Sequence, residues 1–483
     1  MMRRRNLIGL IAALLMCTWG CAPNEVIRDR AGDCGQSPTA HCSIETYGVP
    51  GFPDDHYLVN YVEFDDQGML YEPAQIDALF DRLKIESQYR DLCIVIFVHG
   101  WKHNDAENDT NVRDFRQLLG QIAVMEKQLP DPRSQRRVVG IYAGWRGISA
   151  HATPIDENLT FWSRKAAAER VADGSVRELL ARVKAFRDQL DRTTWGGKLL
   201  RPFEPPQPRD RLRRTRMLTI GHSFGGLIVY SALEQYFIDQ SAASLLRSEW
   251  PTAGLQTSPA SNEDKEVQGF GDLVLIINPA VEALRYEPLR RLVEKGSENR
   301  YVPWQAPVFA EVTSVAADGQ LGDWATGLVF PLGRFFSTVG QGIFGSFRGD
   351  EYDQSLTAFG QHRRFWTHRL TRADPNTPAP WSPDPAKECN QFQAFNAKYR
   401  RSGYLTGGWV RDYLSGARLT QLDDGKSDPN SPFWIIRADP SVIIDHDDIK
   451  EPVFEGFVRQ LYDDLVLLKE RDTALCPPLP VAE

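Results

Sequence analysis

Short apolar runs alternate with longer amphipathic segments along most of the chain. The runs occupy residues 56–64, 92–98, 137–143, 272–278, 308–315 and 433–437, and another begins near Met217. An uninterrupted run such as 92–98 is typical of a strand buried on both faces of a parallel sheet. Strands that alternate with helices predict an α/β fold, with a mostly parallel central sheet and helices on both faces.

Apolar residues spaced three and four apart predict the helices. They define one helix from Pro73 and others at about 111–129, 161–190, 225–238 and 452–469. The segment 241–268 is polar and predicts no regular element.

The alternation lapses between residues 325 and 430. This part is aromatic, rich in arginine from 348 to 372, and broken by proline-rich stretches. We interpret 325–430 as a cap insertion before the last strand. The core is then 46–324 and 431–470, and 471–483 is a tail.

The N-terminus predicts export. Three arginines precede an apolar run at 7–16 that is too short for a comfortable membrane crossing. With Gly20 before Cys21, the segment resembles a bacterial lipoprotein signal, which implies a signal peptide at 1–20, acylation of Cys21 and a tether at 21–45. The protein would be a membrane-anchored lipoprotein of the bacterial envelope. Ordinary cleavage and an uncleaved anchor are the alternatives.

Composition narrows the class of protein. The chain has 42% hydrophobic and 25% charged residues and a net charge of -8, without a long basic run, so nucleic acid is not an expected partner. Of the seven cysteines, Cys93 lies in an apolar run and predicts a buried thiol. Cys34 could pair with Cys42, and Cys389 with Cys476, but the sequence leaves the connectivity open.

The segment Gly221-His-Ser-Phe-Gly225 stands between a predicted strand and an apolar helix. A nucleophile at the apex of such a sharp turn needs glycine two positions away on each side, because side chains there would clash. The following helix directs its N-terminal N–H groups towards the serine. Ser223 is therefore the candidate nucleophile; the alternative is an incidental serine in a glycine-rich turn.

A serine nucleophile needs a base, and His446 follows the last predicted strand. The neighbouring Asp445, Asp447 and Asp448 would favour its protonated form. His362 and His368 lie among arginines, which would disfavour it. A surface histidine or a metal ligand is the alternative role for His446.

The acid that orients the base should follow a strand between the serine and the histidine. Asp323 is the first candidate, and Asp318 and Glu282 are the alternatives. Each could instead be a solvated carboxylate or a helix cap.

An oxyanion hole needs two backbone N–H groups, for which Trp101 and Phe224 are the candidates. We interpret His99 as a structural part of its turn. His222 is interpreted as a packing or supporting residue beside the serine.

The segments Val98-His-Gly-Trp101 and Gly221-His-Ser-Phe-Gly225, with the order Ser…Asp…His, resemble the α/β-hydrolase superfamily. The likeness is greatest to bacterial esterase-like members with a Gly-His-Ser-Phe-Gly-Gly elbow. It covers the two core segments and implies a serine hydrolase that cleaves small-molecule or lipid carboxylic esters through an acyl-enzyme, without metal or cofactor.

Two other classes of function stay open. The fold also hosts non-catalytic surface binding or scaffold proteins and acyltransferases. The aromatic residues of the cap favour an apolar acyl group, although ordinary core packing would explain them too. They are Trp324, Phe330, Phe335, Phe336, Phe344, Phe365 and Trp366. The sequence does not indicate an oligomeric state.

Overall fold

A twelve-stranded mixed sheet organises the part of the chain that the structure describes. This computed structural model describes residues 24–34, 41–129, 132, 134–147, 154–195, 213–249, 266–295, 300–315, 325–374, 384–401, 403–423, 425, 427–447 and 449–470. The strands are β1 (Arg30–Asp33), β2 (Cys42–Val49), β3 (Phe52–Phe64), β4 (Leu92–Val98), β5 (Arg137–Trp145), β6 (Arg216–His222), β7 (Leu273–Ile277), β8 (Phe309–Ser314), β9 (His368–Arg372), β10 (Arg400–Arg401), β11 (Tyr404–Leu405), β12 (Val410–Asp412), β13 (Ala417–Gln421) and β14 (Phe433–Ala438). Strands β10 and β11 form a separate pair.

The sheet order is β1-β2-β3-β5-β4-β6-β7-β8-β14-β9-β13-β12. Every neighbouring pair from β3 to β9 is parallel, whereas β2–β3, β9–β13 and β13–β12 are antiparallel. The carboxyl ends of the parallel strands therefore lie along one edge, called here the carboxyl edge.

Helices cover both faces of the sheet, as expected for the α/β class. One apolar core joins the sheet to α1 and α3–α6, and the other joins it to α2 and α10. The helices are α1 (Pro73–Ser87), α2 (Thr110–Gln128), α3 (Pro154–Asp173), α4 (Val176–Asp191), α5 (Phe224–Glu249), α6 (Ala283–Glu294), α7 (Phe330–Ile343), α8 (Glu351–Leu356), α9 (Pro385–Tyr399) and α10 (Pro452–Glu470). Among the described residues, no helix combines the length and apolar character needed to cross a membrane.

Two helical predictions are corrected. The single helical region at 161–190 is two helices, α3 and α4, separated at residues 174–175. The prediction of no regular element from 241 is wrong as far as Glu249, because α5 continues to that residue. Ser241 is fully buried there, and its carbonyl accepts a hydrogen bond from the Arg300 guanidinium at 3.0 Å. Residues 241–249 also contain two alanines and two leucines, which favour helix.

The prediction of a cap at 325–430 is wrong for much of that segment. Strand β9 pairs in parallel with β14, and β13 and β12 follow in antiparallel order, so three strands of the segment extend the central sheet. Strand β14 consequently lies inside the sheet rather than at its edge. The α7–α8 part contributes no strand.

The tether prediction at 21–45 is also wrong for its described residues. Arg28 is buried, and its guanidinium contacts Glu45 at 2.7 Å while its backbone N–H donates to Glu63. Strand β1 pairs with β2, and Cys34 and Cys42 form a disulfide bond. Cys389 is disulfide-bonded, Cys93 is a buried free thiol as predicted, and Cys21 and Cys476 lie outside the described residues.

The fully buried Glu311 in β8 predicts a pH-dependent stability. Burial raises the pKa of its carboxyl to about 8, and the Thr313 hydroxyl donates to it. Above its ordinary pKa of 4.5, the unfolded chain releases a proton that the folded protein keeps, so rising pH favours unfolding. From pH 5 to 8 we expect this group to remove roughly 1–4 kcal/mol of unfolding free energy, and Glu311→Gln to abolish that loss. Urea unfolding at both pH values measures it. The half-exposed Glu178→Gln is the control and should keep the wild-type profile.

Candidate active site

Ser223 lies at the turn between β6 and α5 in left-handed backbone, with φ of 57°. This conformation is costly for a residue with a side chain and is found where the surroundings impose it. The Ser223 N–H donates to the carbonyl of Ile277 at 2.9 Å, and its own carbonyl accepts from the N–H of Leu227 at 3.1 Å. The neighbouring strand and the first turn of α5 therefore hold the strained residue on both sides.

The two glycines of the elbow permit this turn because no side chain would fit at either position. A Cβ on Gly221 would lie 2.6 Å from the carbonyl oxygen of Gly225. A Cβ on Gly225 would lie 1.9 Å from the carbonyl oxygen of Val98, at the end of β4. The G-x-S-x-G spacing is thus explained by contact of the elbow with itself and with the adjacent strand.

The structure brings Ser223 and His446 together. Oγ of Ser223 lies 2.8 Å from Nε2 of His446, and both residues are buried, with 3% and 5% of their surfaces exposed. His446 belongs to the loop that leads from β14 to α10, where the sequence predicted a base. For Ser223 to donate this hydrogen bond, Nε2 must be the unprotonated nitrogen of a neutral ring.

The main chain of His446 is held by three hydrogen bonds. Its carbonyl accepts from Nε2 of His222 at 2.9 Å and from Nδ2 of Asn278 at 3.0 Å. Its N–H donates to Oδ1 of Asp445 at 2.7 Å. Oδ1 of Asn278 in turn accepts from the N–H of Ser314 at 2.9 Å. The ends of β6, β7 and β8 therefore position the histidine loop over the serine.

Asn278 was missed by reasoning from sequence. It directly follows β7 and has φ of 45°, a left-handed conformation that asparagine tolerates better than most residues. An asparagine immediately after a buried strand was the available signal. Its partners, His446 and Ser314, are far away in sequence and could not be inferred from it.

His222 and His99 are both unsuited to act as the base. Burial lowers the pKa of each imidazole to about 4, and the ring of His446 contributes further for His222. The His222 ring faces that of His446, with centroids 5.1 Å apart. His99 accepts from the N–H of Trp145 at 3.0 Å, which agrees with its interpretation as a structural part of the turn.

Of the three candidate acids, Glu282 alone belongs to the part of the chain that the structure describes. Glu282 lies 3.0 Å from Nζ of Lys165 and 3.4 Å from Nε of Arg334, and despite its burial these two cations lower its pKa. That ion pairing gives Glu282 a structural role and counts against it as the orienting acid. Asp318 and Asp323 lie outside the described residues.

The candidate oxyanion donors belong to segments that meet at the serine. A Cβ on Gly100 would lie 2.8 Å from Cβ of Ser223, so the turn after β4 directly adjoins the candidate nucleophile. Phe224 is the first residue of α5, where backbone N–H groups have no partner within the helix. The rings of Trp101 and Phe224 both pack on Phe161, at centroid distances of 5.2 and 4.9 Å. This packing fixes the two segments relative to each other.

His222, His446 and Asp447 form an alternative cluster that could attract a cation. One ligand atom from each lies within 4.8 Å of the others. However, Nε2 of His446 contacts Ser223 and Nε2 of His222 contacts the His446 carbonyl. A metal bound through these two Nε2 atoms would have to replace both contacts.

The aromatic residues of 325–366 do not form one acyl pocket. Phe330 and Phe365 are buried in the main core, whereas Phe336 and Phe344 are exposed by 74% and 86%. Trp324 lies outside the described residues. The preference for an apolar acyl group that this stripe suggested is therefore not supported by its described members.

The chain matches no family model, no curated protein and no solved structure.

Replacing Gly225 tests the packing of the elbow. Gly225→Ala puts a methyl group into the backbone of β4, so we expect a loss of about 1–3 kcal/mol in unfolding free energy and displacement of Ser223. Chemical denaturation measures the loss.

Gly340→Ala, in α7, is the matched control because a Cβ there meets nothing within 4 Å. It should leave the unfolding free energy unchanged or raise it by up to about 1 kcal/mol. Equal effects of the two substitutions would contradict the account of the elbow.

Proposed function

We propose that the protein is a serine hydrolase of the α/β-hydrolase type that cleaves carboxylic esters. The observation that carries this proposal is the 2.8 Å contact between Nε2 of His446 and Oγ of a serine held in left-handed backbone. A surface histidine would not explain why Ser223, His222 and Asn278 converge on His446 from the ends of two strands. Such convergence is expected of a catalytic base, which must be held within hydrogen-bond reach of the proton that it takes.

The proposed reaction proceeds in two steps. Oγ of Ser223 attacks the ester carbonyl while Nε2 of His446 takes its proton, and the backbone N–H groups of Trp101 and Phe224 stabilise the oxyanion. The tetrahedral intermediate collapses to an acyl-enzyme as His446 returns the proton to the departing alcohol. Water, activated by the same ring, then releases the carboxylic acid.

Acidic groups around His446 support its role as the base. Asp445 accepts the His446 N–H, and a carboxylate oxygen of Asp447 lies within 4.8 Å of a His446 ring nitrogen. Negative charge at this distance stabilises the imidazolium that forms when Ser223 attacks. Asp323 remains the proposed orienting acid, with Asp318 as its alternative. The lipid anchor at Cys21 likewise remains a proposal.

Ser223→Ala tests the mechanism. We expect hydrolysis of p-nitrophenyl acetate to fall by at least about 10³-fold, because the nucleophile is removed while the oxyanion donors remain. Labelling by a fluorophosphonate, which reacts with activated serines, should disappear. The unfolding temperature should stay near that of the unsubstituted protein, since only one hydroxyl group is lost.

Ser241→Ala provides the matched control. Ser241 is fully buried in α5, the helix that follows Ser223, and should keep both hydrolysis and labelling. Retained hydrolysis in Ser223→Ala would refute the mechanism. A folded unsubstituted protein without labelling would favour a binding or scaffold protein, and ester exchange with an added alcohol would favour an acyltransferase.

Asn278→Asp tests the positioning of the base. The substitution keeps the size of the side chain and its acceptor for Ser314, but replaces the N–H donor that faces the His446 carbonyl. We expect kcat for p-nitrophenyl acetate to fall by about 10- to 100-fold with little change in KM, since the substrate is not contacted. The pH profile of kcat should also shift, because the added carboxylate lies beside the histidine loop. Asn278→Ser restores a small donor and should recover part of kcat. An unchanged kcat and pH profile would show that this contact does not position the base.

A further inference from the structure

Helix α7 turns most of its large apolar residues away from the protein. The exposed fractions are 74% for Phe336, 75% for Ile343 and 52% for Leu332. These residues belong to one stripe with helical spacing, here called the outer stripe. The outer stripe consists of Leu328, in the helical turn before α7, and of Leu332, Phe335, Phe336, Val339 and Ile343, and the exposed Phe344 follows its end.

The opposite side of α7 contacts the protein through Phe330 at its start and otherwise through small and polar residues. A Cβ on Gly333 would lie 2.1 Å from the ring of Trp162, so that ring packs directly on the helix backbone. Thr338 is buried and donates to the carbonyl of Arg334 at 2.7 Å. A helix on a water-soluble surface has the reverse polarity, with its apolar side inward. The polarity of α7 therefore suits an apolar environment outside the protein.

The outer stripe carries no charge. Within residues 325–347, Arg334 is the only charged residue, and its Nε donates to the carbonyl of Ser355 and pairs with Glu282. The other polar residues of this segment are serine, threonine and glutamine. Binding through this surface would rely on apolar burial rather than on attraction to anionic groups.

Helix α7 is attached at the carboxyl edge of the sheet. Glu282, which pairs with Arg334, follows β7, and Trp162, which packs on Phe330 at 5.9 Å, lies in the helix that follows β5. The first described residues run along the same edge, where Asn24 accepts a hydrogen bond from Tyr71 just beyond the end of β3.

Cys21, the predicted acylation site, precedes Asn24 by three residues, a span of about 10 Å at most. An acyl chain on Cys21 would bring the carboxyl edge, and with it α7, to the membrane surface.

We propose that the outer stripe of α7 is a membrane-contact surface that inserts into a phospholipid bilayer beside the lipid anchor. Helix α7 has 14 residues and is about 21 Å long, shorter than the roughly 30 Å of a hydrocarbon core. It therefore lies in the plane of the interface, with the outer stripe among the upper acyl chains. This proposal does not depend on whether Ser223 is a nucleophile.

A fluorescent reporter on the full-length chain tests the proposal. Phe336→Cys, labelled with an environment-sensitive nitrobenzoxadiazole dye, is mixed with phosphatidylcholine vesicles. We expect a blue shift and an increase in emission of about threefold or more, quenching by a phospholipid with a nitroxide on its acyl chain, and no loss in 0.5 M NaCl. Phe344→Cys is a second reporter should the first variant fold poorly.

Tyr89→Cys is the matched control, because Tyr89 is 72% exposed and precedes β4 at the opposite edge of the sheet. Its dye should remain in water when vesicles are added, and the labelled unsubstituted protein gives the background from native cysteines. A Phe336 reporter that stays in water, or that shifts no more than the Tyr89 reporter, would overturn the proposal. A shift without lipid that grows with protein concentration would identify a second copy of the chain as the occupant instead. A shift that requires anionic lipid would contradict the uncharged mode of contact.

Discussion

The contact between the elbow and the end of β4 is the constraint on which the site depends. Gly225 lies so close to the carbonyl of Val98 that a methyl group cannot fit between them, and the missing side chain lets α5 approach the sheet. Ser223 is consequently kept in left-handed backbone at the carboxyl edge. Asn278 and Ser314 stand at the ends of the next two strands, and they connect the same edge to the loop that carries His446.

The parts of the molecule that sequence could predict have local signals. The strand at Leu92–Val98 has the predicted bounds because seven apolar residues in succession are typical of a strand that is buried on both faces of the sheet. Ser223 was identifiable because its glycines are imposed by contacts within a few residues or with one adjacent strand. His446 followed from the need for a base after the last strand. The structure brings it to Ser223 across 223 residues of sequence.

What sequence could not predict depends on partners far away along the chain. Strand β9 is short, and four of its five residues are polar, so only its pairing with β14 and β13 makes it part of the sheet. Arg28 was predicted to lie in a tether, but it is buried through its ion pair with Glu45 and its backbone hydrogen bond to Glu63. Glu282 was a reasonable candidate acid by its position in the sequence, but it forms ion pairs with Lys165 and Arg334. Both cations lie far from Glu282 in the sequence, so its own segment gives no sign of this structural role.

The Glu282 ion pairs also connect α7 to the elements around Ser223. Arg334 of α7 and Lys165 of α3 meet at Glu282, and α3 carries Phe161, on which Trp101 and Phe224 pack. Helix α7 is thus fixed to the elements that surround Ser223, at the same edge of the sheet. If the outer stripe enters a bilayer, Ser223 is held close to the lipid surface. Substrates that partition into membranes would then be concentrated where the serine lies, which favours lipid esters over freely soluble ones.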